Sequence, residues 1–520
     1  MQPTTITPGM RRSAALQRSV ATGAAARSLR NISRRDSVYR FTARVLAALT
    51  LCAVLHTDVI AQGTCRAASA GSSEPTAVME RAIGVLGLDG VDDHVRESTT
   101  RDIATLDYQS DRPYPPYFSS VSDGRLQVGW KSGLLRMEQG GGQFALLSDS
   151  SRQVVVSARG AQLVPTRTPN LIDNRAMDPW TVLSDWRYAR DVRAGGDCKY
   201  RDFWRTVVVR GKDNSEQRLF LDPKTGFPVK LERREVHPLY GDVLAEYLWS
   251  IWTPVAGTRA LAPQFSFRLV DGEVAQQRIV SRPVFAADST ALRFPAEVAA
   301  MVNLPPLVPD TVRVGPTTFL LRTASYTNVV SLQADTVWIL DAQTNEQRAR
   351  QDSLWIGRLF PGRHALALVV TDLAFPHIAG VRYWVANGAL VVSHPNSEAF
   401  LRRVVQRRWT LEPDLLARQR RPAFAFRPVS GGIAIGAGAV RVVPIDGIGS
   451  EGALMVYLPR ERFLYASDYV QGGGPTSFTA VYAREVVAAA RRAGLMPERF
   501  AAMHTPLTAW DQLPRFGAEP

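Results

Sequence analysis

The sequence predicts an antiparallel β-rich domain followed by an α/β domain, and three observations predict it. From about residue 100 to 288, short segments of partial apolar alternation such as "GRLQVGW", "RQVVVSARG", "EQRLFLD" and "FPVKLERRE" follow one another between Gly, Asp, Asn and Pro turn signals. Prolines 295, 305, 306 and 309 then interrupt any strand character between 286 and 315, which marks a boundary. Beyond it strands alternate with amphipathic helices, the pattern of a layered α/β structure. At 520 residues, with 45% hydrophobic and 21% charged content, the chain is long enough to bury more than one core.

In chain order, residues 1–61 read as a leader. Nine arginines against Asp36 and Asp58 give this segment +7 of the +14 net charge. The apolar run "VLAALTLCAVL" (45–55) then leads to Val59 and Ala61, small residues that suit cleavage after Ala61. Eleven apolar residues are too few to cross about 30 Å of hydrocarbon, so export rather than a stable transmembrane segment is expected. The remaining +7 is spread thinly. Lysine is confined to Lys131, Lys199, Lys212, Lys224 and Lys230, and no basic stripe is interleaved with aromatics, so no nucleic-acid partner is expected. After cleavage Cys65 and Cys198 remain, an even pair compatible with one disulfide in an oxidising compartment.

Residues 62–76 are small and polar and read as a linker. A short helix is expected in "AVMERAIGVLGLDGV", at the start of a β-rich domain over 77–288. Its clearest hairpin is "FLDPKTGFPVKLERRE", where Asp222, Pro223 and Gly226 supply turn geometry. Residues 289–314 read as a second linker, and 315–520 as the α/β domain. There "VVSLQADTVWILDAQ" predicts two strands, "ALALVVTD" a buried strand, and "IAGVRYWVANG" a helix that Gly388 ends. Strand "ALVVSH" and helix "NSEAFLRRVVQRR" follow, the helix capped by Asn396 or Ser397. Strands "AVRVVPID", "ALMVYLP" and "RFLYASD", helix "AVYAREVVAAARRAG" and strand "RFAAMH" complete the domain. Glycine-rich "SGGIAIGAGAV" contains no Lys-Ser/Thr pair and reads as a turn, and "VQGGGPTS" (470–477) as a surface loop.

The D-x-x-T-G-x-P turn at Asp222, and the V-x-G-x-x-x-P connection in "TPVAGTRALAPQFSF", resemble the strand succession of periplasmic lipoprotein-carrier domains. The resemblance covers about residues 75–288. It implies a half-barrel-like sheet whose face could hold an acyl chain or another apolar ligand.

The element order and landmarks over about 315–515 resemble the metallo-β-lactamase fold, which implies an αβ/βα sandwich. A strand ends in Asp341, and "TDLAFPHIAG" takes the place of the family motif T-H-x-H-x-D-H-x-G-G. Thr371, His377 and Gly380 agree with it. Asp372, Ala374 and Pro376 stand where two His and the Asp belong, and Gly449 where the hairpin His belongs. Asp468 after "RFLYAS" and His504 in "MHTPLTAW" match the later Asp and His. The resemblance therefore implies that one metal position is lost and that His377, Asp468 and His504 are what remains of the other, with Asp372 as a weak further candidate. These residue types suit zinc, because neutral imidazole and carboxylate bind a borderline divalent ion at about 2.0 to 2.2 Å.

Two His-bearing readings stand side by side. With four ligand positions lost, the domain reads as a non-catalytic binding or scaffolding module, in which His377 and His504 are interior histidines bonded to Asp468. The alternative is a mononuclear metal-dependent hydrolase, since three ligands with an open position are a valid catalytic set for zinc. A third reading places function in the β-rich domain as a carrier of an apolar ligand. His394, at a strand end before a helix, is expected to make a structural hydrogen bond. His94, His237 and His364 have no partner at ligand spacing, and no serine lies in a nucleophile elbow.

Overall fold

The structure, a computed structural model, describes residues 65–66 and 74–516, apart from 93, 106–119, 140–143, 158–159, 165–173, 213–214, 287–289, 300–307, 324–325, 420–422, 449–450 and 471–478. The expected leader, Gly449 and most of "VQGGGPTS" lie outside the described residues. Residues Gly63–Pro520 form one compact unit. Strands up to Ala286 build one sheet of fourteen strands, and those from Asp310 onward build two further sheets of seven and six.

The first sheet is antiparallel throughout. Strand Val95–Ala104 lies at its middle, paired with Ser120–Gly129 on one side and Glu273–Ala286 on the other. One outer edge is the two-residue strand Cys65–Arg66, which pairs with Val192–Tyr200 and is disulfide-bonded through Cys65 and Cys198. A short, covalently fixed edge strand blunts a row of unpaired backbone groups. The expected hairpin forms between Gln217–Leu221 and Pro228–His237. Asp222 Oδ1 accepts from the Lys224 and Thr225 amides, and Gly226 takes the left-handed conformation (φ 82°) that a side chain would resist.

Alternation along the strands puts Arg96, Ser98, Thr100 and Asp102 on one face, and cross-strand pairing sets Gln276, Arg278, Ser266 and Arg268 beside them. All eight are buried. Arg278 donates to Asp102 (2.9 Å) and Asn174 (2.6 Å), Arg268 to Glu235 (2.9 Å), and Arg96 pairs with Asp178. Elsewhere the same face is apolar, with Leu126, Val128, Tyr247 and Trp249 packed against helices Pro75–Val85 and Pro179–Trp186. The face thus carries buried ion pairs at its centre and its own helices over its apolar part.

In the seven-stranded sheet, strands Thr336–Leu340, Ala365–Val369, Leu390–Ser393 and Phe426–Pro428 run parallel. Parallel neighbours need a crossover, and helices Glu346–Leu359, Val381–Ala386 and Glu398–Gln406 supply it. One apolar core joins this sheet to the six-stranded one, with Leu320, Trp338 and Val369 meeting Val442, Val456 and Phe463. Two other cores pack each sheet against helices, one through Ile356, Trp384 and Leu401, the other through Val486, Ala490 and Phe500.

Several local expectations are revised. Within the expected linker 289–314, the described residues include helix Ala296–Ala299 and most of strand Asp310–Gly315. Helix Glu346–Leu359 escapes the sequence because its buried face carries Arg348 and Asp352 as well as Ala349 and Ile356. Arg348 is fully buried and bonded to Asp352, Asn328 and the Leu321 carbonyl, each at 2.8 Å. Asn396 and Ser397 give no side-chain cap to helix Glu398–Gln406; His394 Nδ1 instead accepts from the Asn396 amide at 3.3 Å.

The first sheet meets the later ones beside the loop at 371–380. Asp242 accepts from the Thr410 and Leu411 amides (2.7 and 3.1 Å), and Arg407 pairs with Asp271 at 2.5 Å. Buried His237 stacks on Tyr240 (4.5 Å) and lies against Phe375 (5.3 Å), two residues before His377.

Candidate metal centre

Three chain segments end at one place because the two sheets are tied together there. The Leu454 amide donates to Thr371 O (2.8 Å), the Thr327 amide to Met503 O (2.7 Å) and the Met503 amide to Ser467 O (2.9 Å). These bonds hold the 371–378 loop, the Ser467–Asp468 corner and the Met503–His504 turn against one another. Asp341 and Ser467 both sit at positive φ (65° and 54°), which is uncommon for residues with a side chain and concentrates at functional positions.

His377 lies in the short helix Phe375–Ile378 and is buried. Its carbonyl accepts from the Ala342 amide, and the Gly380 amide returns a bond to Ala342 O, both at 2.8 Å. A Cβ on Gly380 would stand 3.0 Å from Ala349 Cβ and 3.2 Å from Ala342 O, so the glycine permits this close approach. The ligand atoms of His377, Asp468 and His504 all lie within 4.8 Å of one another. His504 Nε2 is 3.2 Å from Asp468 Oδ1; Asp468 is buried, whereas the His504 side chain is 30% exposed. The ring of Tyr326 lies 5.1 Å from that of His504 and 6.3 Å from that of His377.

Asp372 stands behind this group. Its Oδ1 lies 2.8 Å from His377 Nδ1 and accepts from the Ala374 amide, while Oδ2 accepts from Ser467 Oγ at 2.6 Å. Both oxygens are therefore engaged, Oδ1 within the loop and Oδ2 by Ser467, and Asp372 is not among the three convergent groups. Thr371 Oγ1 donates to Asp341 Oδ2 (2.6 Å) and lies 2.7 Å from Ser467 Oγ; Tyr465 OH donates to Asp341 at 3.0 Å. Ser467, Tyr465 and Tyr326 were not singled out in the sequence. The two tyrosines carry no motif signal, and Ser467 shows only as the neighbour of Asp468.

Burial, reinforced by the nearby Asp372 carboxylate, raises Asp341 to about 7. Burial opposes ionisation of Asp372 as well, but the His377 imidazole and the donors around it hold that carboxyl below its usual range. For His377 burial alone favours the neutral ring; the carboxylates of Asp372 and Asp468 outweigh it and raise the imidazole to about 9. Burial, and then Asp341, raise the Tyr465 phenol well above its ordinary value.

No family model matches the chain. No curated protein matches it either. Among solved structures it is similar to the DIM-1 metallo-beta-lactamase (14% identity, TM-score 0.32, covering 40% of this chain and 95% of that one). It is similar to a metallo-beta-lactamase from Pontibacter korlensis (13%, TM-score 0.32, 40% and 97%). It is also similar to a putative outer membrane lipoprotein-sorting protein domain from Vibrio parahaemolyticus (11%, TM-score 0.30, 41% and 94%). At these scores the likeness assigns no family, and the site rests on its own geometry.

That geometry fits one ion of the zinc type. Two imidazoles and a carboxylate are a recognised zinc donor set, and three groups within 4.8 Å of one another need only a small approach to reach bonds of about 2.0 to 2.2 Å. With His377 Nδ1 held by Asp372, Nε2 is the nitrogen left for an ion, and a carboxylate behind a ligating histidine fixes the ring's tautomer and orientation. The other neighbours of His377 in the loop, Ala374 and Pro376, offer no side-chain ligand.

Proposed function

We propose that this is an exported, metallo-β-lactamase-like protein of αβ/βα layering that binds a single divalent ion through His377, Asp468 and His504, and that it acts as a mononuclear hydrolase of ester-, amide- or phosphoester-type substrates. The observation that carries this reading is the convergence of three side chains drawn from positions 377, 468 and 504, with Asp372 buttressing the first. Residues 77–288 and 315–520 are read as its two domains. When bound, the ion would supply Lewis acidity beside the partly exposed His504. The protein's own part is to bind and orient: His377 Nε2 and Asp468 are fixed from the buried side, the partly exposed His504 closes the triad, and Tyr326 walls it.

The test is zinc content after purification and dialysis against zinc-buffered solution, with hydrolysis of p-nitrophenyl acetate followed alongside. One equivalent is expected, falling to a small fraction in His504→Ala. Metal-free protein from both preparations would sink the reading.

A second reading has its own support. The pairs His504 with Asp468 (3.2 Å) and His377 with Asp372 (2.8 Å) form without any ion, which suits a non-catalytic binding or scaffolding module. That reading expects no zinc and no loss of fold in His504→Ala. The carrier reading finds its support in a cavity of about 370 Å³ under helix Pro75–Val85, where Met79, Ile83, Leu88, Trp130 and Trp186 provide apolar walls.

A further inference from the structure

One hairpin of the first sheet has an apolar tip where a turn is ordinarily polar. Strands Pro228–His237 and Gly241–Pro254 pair His237 with Gly241, so Pro238, Leu239 and Tyr240 form the loop between them. On a free surface Leu239 would face water. Instead it is 1% exposed and shares a core with Phe375 and Ile378, beyond the first sheet. The backbone of the tip is docked as firmly. Arg407 donates to the carbonyls of Tyr240 (2.5 Å) and Asp242 (3.1 Å), and the Asp242 amide donates to Arg408 O at 2.8 Å.

His237 closes this turn. Its Nδ1 accepts from the amides of Leu239 and Tyr240, both at 3.1 Å, and these two bonds fix the plane of the ring. One face stacks on Tyr240, and the ring stands 5.3 Å from that of Phe375. Phe375 opens the four-residue helix Phe375–Ile378 that carries His377, and no side chain caps that helix. A single helical turn has too few internal bonds to hold its own place, so its position is set by what packs on it. The backbone bonds of Ala342 to His377 and Gly380 act from one direction. The His237 ring acts from the first sheet.

We propose, resting on the metal-binding reading above, that His237 is a positioning residue of the metal centre: through Phe375 it sets the helix Phe375–Ile378 and with it the aim of His377 Nε2. The first sheet thus takes part in a centre whose three ligands, His377, Asp468 and His504, all lie beyond it in the chain.

Two variants of the full chain separate this role from simple support. His237→Phe keeps a ring against Phe375 and removes the acceptor for the two amides. His237→Asn keeps an acceptor suited to amides two and three residues on, and removes the ring. Zinc affinity is measured by competition with a chromophoric chelator, ligand geometry by the visible absorption of the cobalt(II)-loaded protein, and stability by the urea midpoint. His237→Asn is expected to bind zinc about tenfold more weakly or worse, with an altered cobalt spectrum, the size of effect that groups supporting a metal ligand usually show. His237→Phe is expected to lose stability yet keep the parent's spectrum and an affinity within about threefold of it. Phe375→Leu is expected to weaken zinc binding likewise, and combining it with His237→Asn to weaken it no further, because both act along one path. Parental affinity and spectrum in His237→Asn would overturn the proposal. So would affinity losses that merely follow the urea midpoints of the two His237 variants, or fully additive losses in the double variant. A parent that bound neither zinc nor cobalt would sink the metal-binding reading and this inference with it, whereas a metal-binding parent with an unaltered His237→Asn would sink this inference alone.

Discussion

His377 and Asp372 show how one residue's place decides another's chemistry. Asp372, a weak ligand candidate in the sequence, turns back in the fold onto His377 Nδ1 at 2.8 Å. Its replacement by Asn keeps the shape and removes the charge. Asp372→Asn is therefore expected to weaken zinc binding about 10- to 100-fold, read by competition with a chromophoric chelator, while the far-ultraviolet dichroism is unchanged. Glu235 offers a second test, remote from the metal centre. Burial works against its ionisation, but Arg233 and Arg268 hold it down to about 2, below an ordinary value of 4.5. A carboxyl depressed on folding stabilises the protein fully above its unfolded value and loses that contribution as pH falls toward its folded value. Between about pH 5 and pH 2 the parent should lose up to about 3 kcal/mol that Glu235→Gln does not lose, measured as denaturant midpoints across that range.

At the scale of elements, helix Glu346–Leu359 is decisive for the site although its sequence hardly announces it. Arg348 is 0% exposed and joins the helix to Asn328 and the Leu321 carbonyl on the sheet. Arg348→Ala strands the Asp352 carboxylate in the interior, and a loss of about 3 to 5 kcal/mol is expected in urea unfolding. The same helix crowds the metal loop from behind. Gly380 adopts an ordinary negative φ, so only space is at issue there; Gly380→Val pushes branched carbons into Ala349 and Ala342 O. That overpacking is expected to cost about 1 to 3 kcal/mol and to lower zinc affinity along with stability. A variant that lost stability with unchanged affinity would show that the loop does not position His377.

For the whole molecule, the edge disulfide and the contact between sheets are the features to test. Cys65 and Cys198 are 133 residues apart in sequence, so their bond restricts a long loop in the unfolded chain and also secures the outermost strand. Cys65→Ser with Cys198→Ser is expected to lower unfolding free energy by about 2 to 4 kcal/mol, an effect that reductant reproduces in the parent. The first sheet meets the metal loop through His237 and Phe375, and Gly241 lies so near Arg408 that a Cβ there would be 2.1 Å from its carbonyl oxygen.

What the sequence by itself determined is periodic or local. Alternating segments and turn residues announce the strands, Asp222 and Gly226 the hairpin, and the order of strands, helices, Asp468 and His504 the likeness that singled out three side chains. These signals are legible because a strand's period and a turn's dihedrals depend on neighbours along the chain. The bonds of Asp372 to His377 and Ser467 were not legible, nor was helix Glu346–Leu359 with its buried ion pair, nor the charged centre of the first sheet. Only the tertiary structure decided these, because a buried charge is tolerated solely where partners from distant segments meet it. Asp372 finds Ser467, and Asp102 finds Arg278 176 residues away.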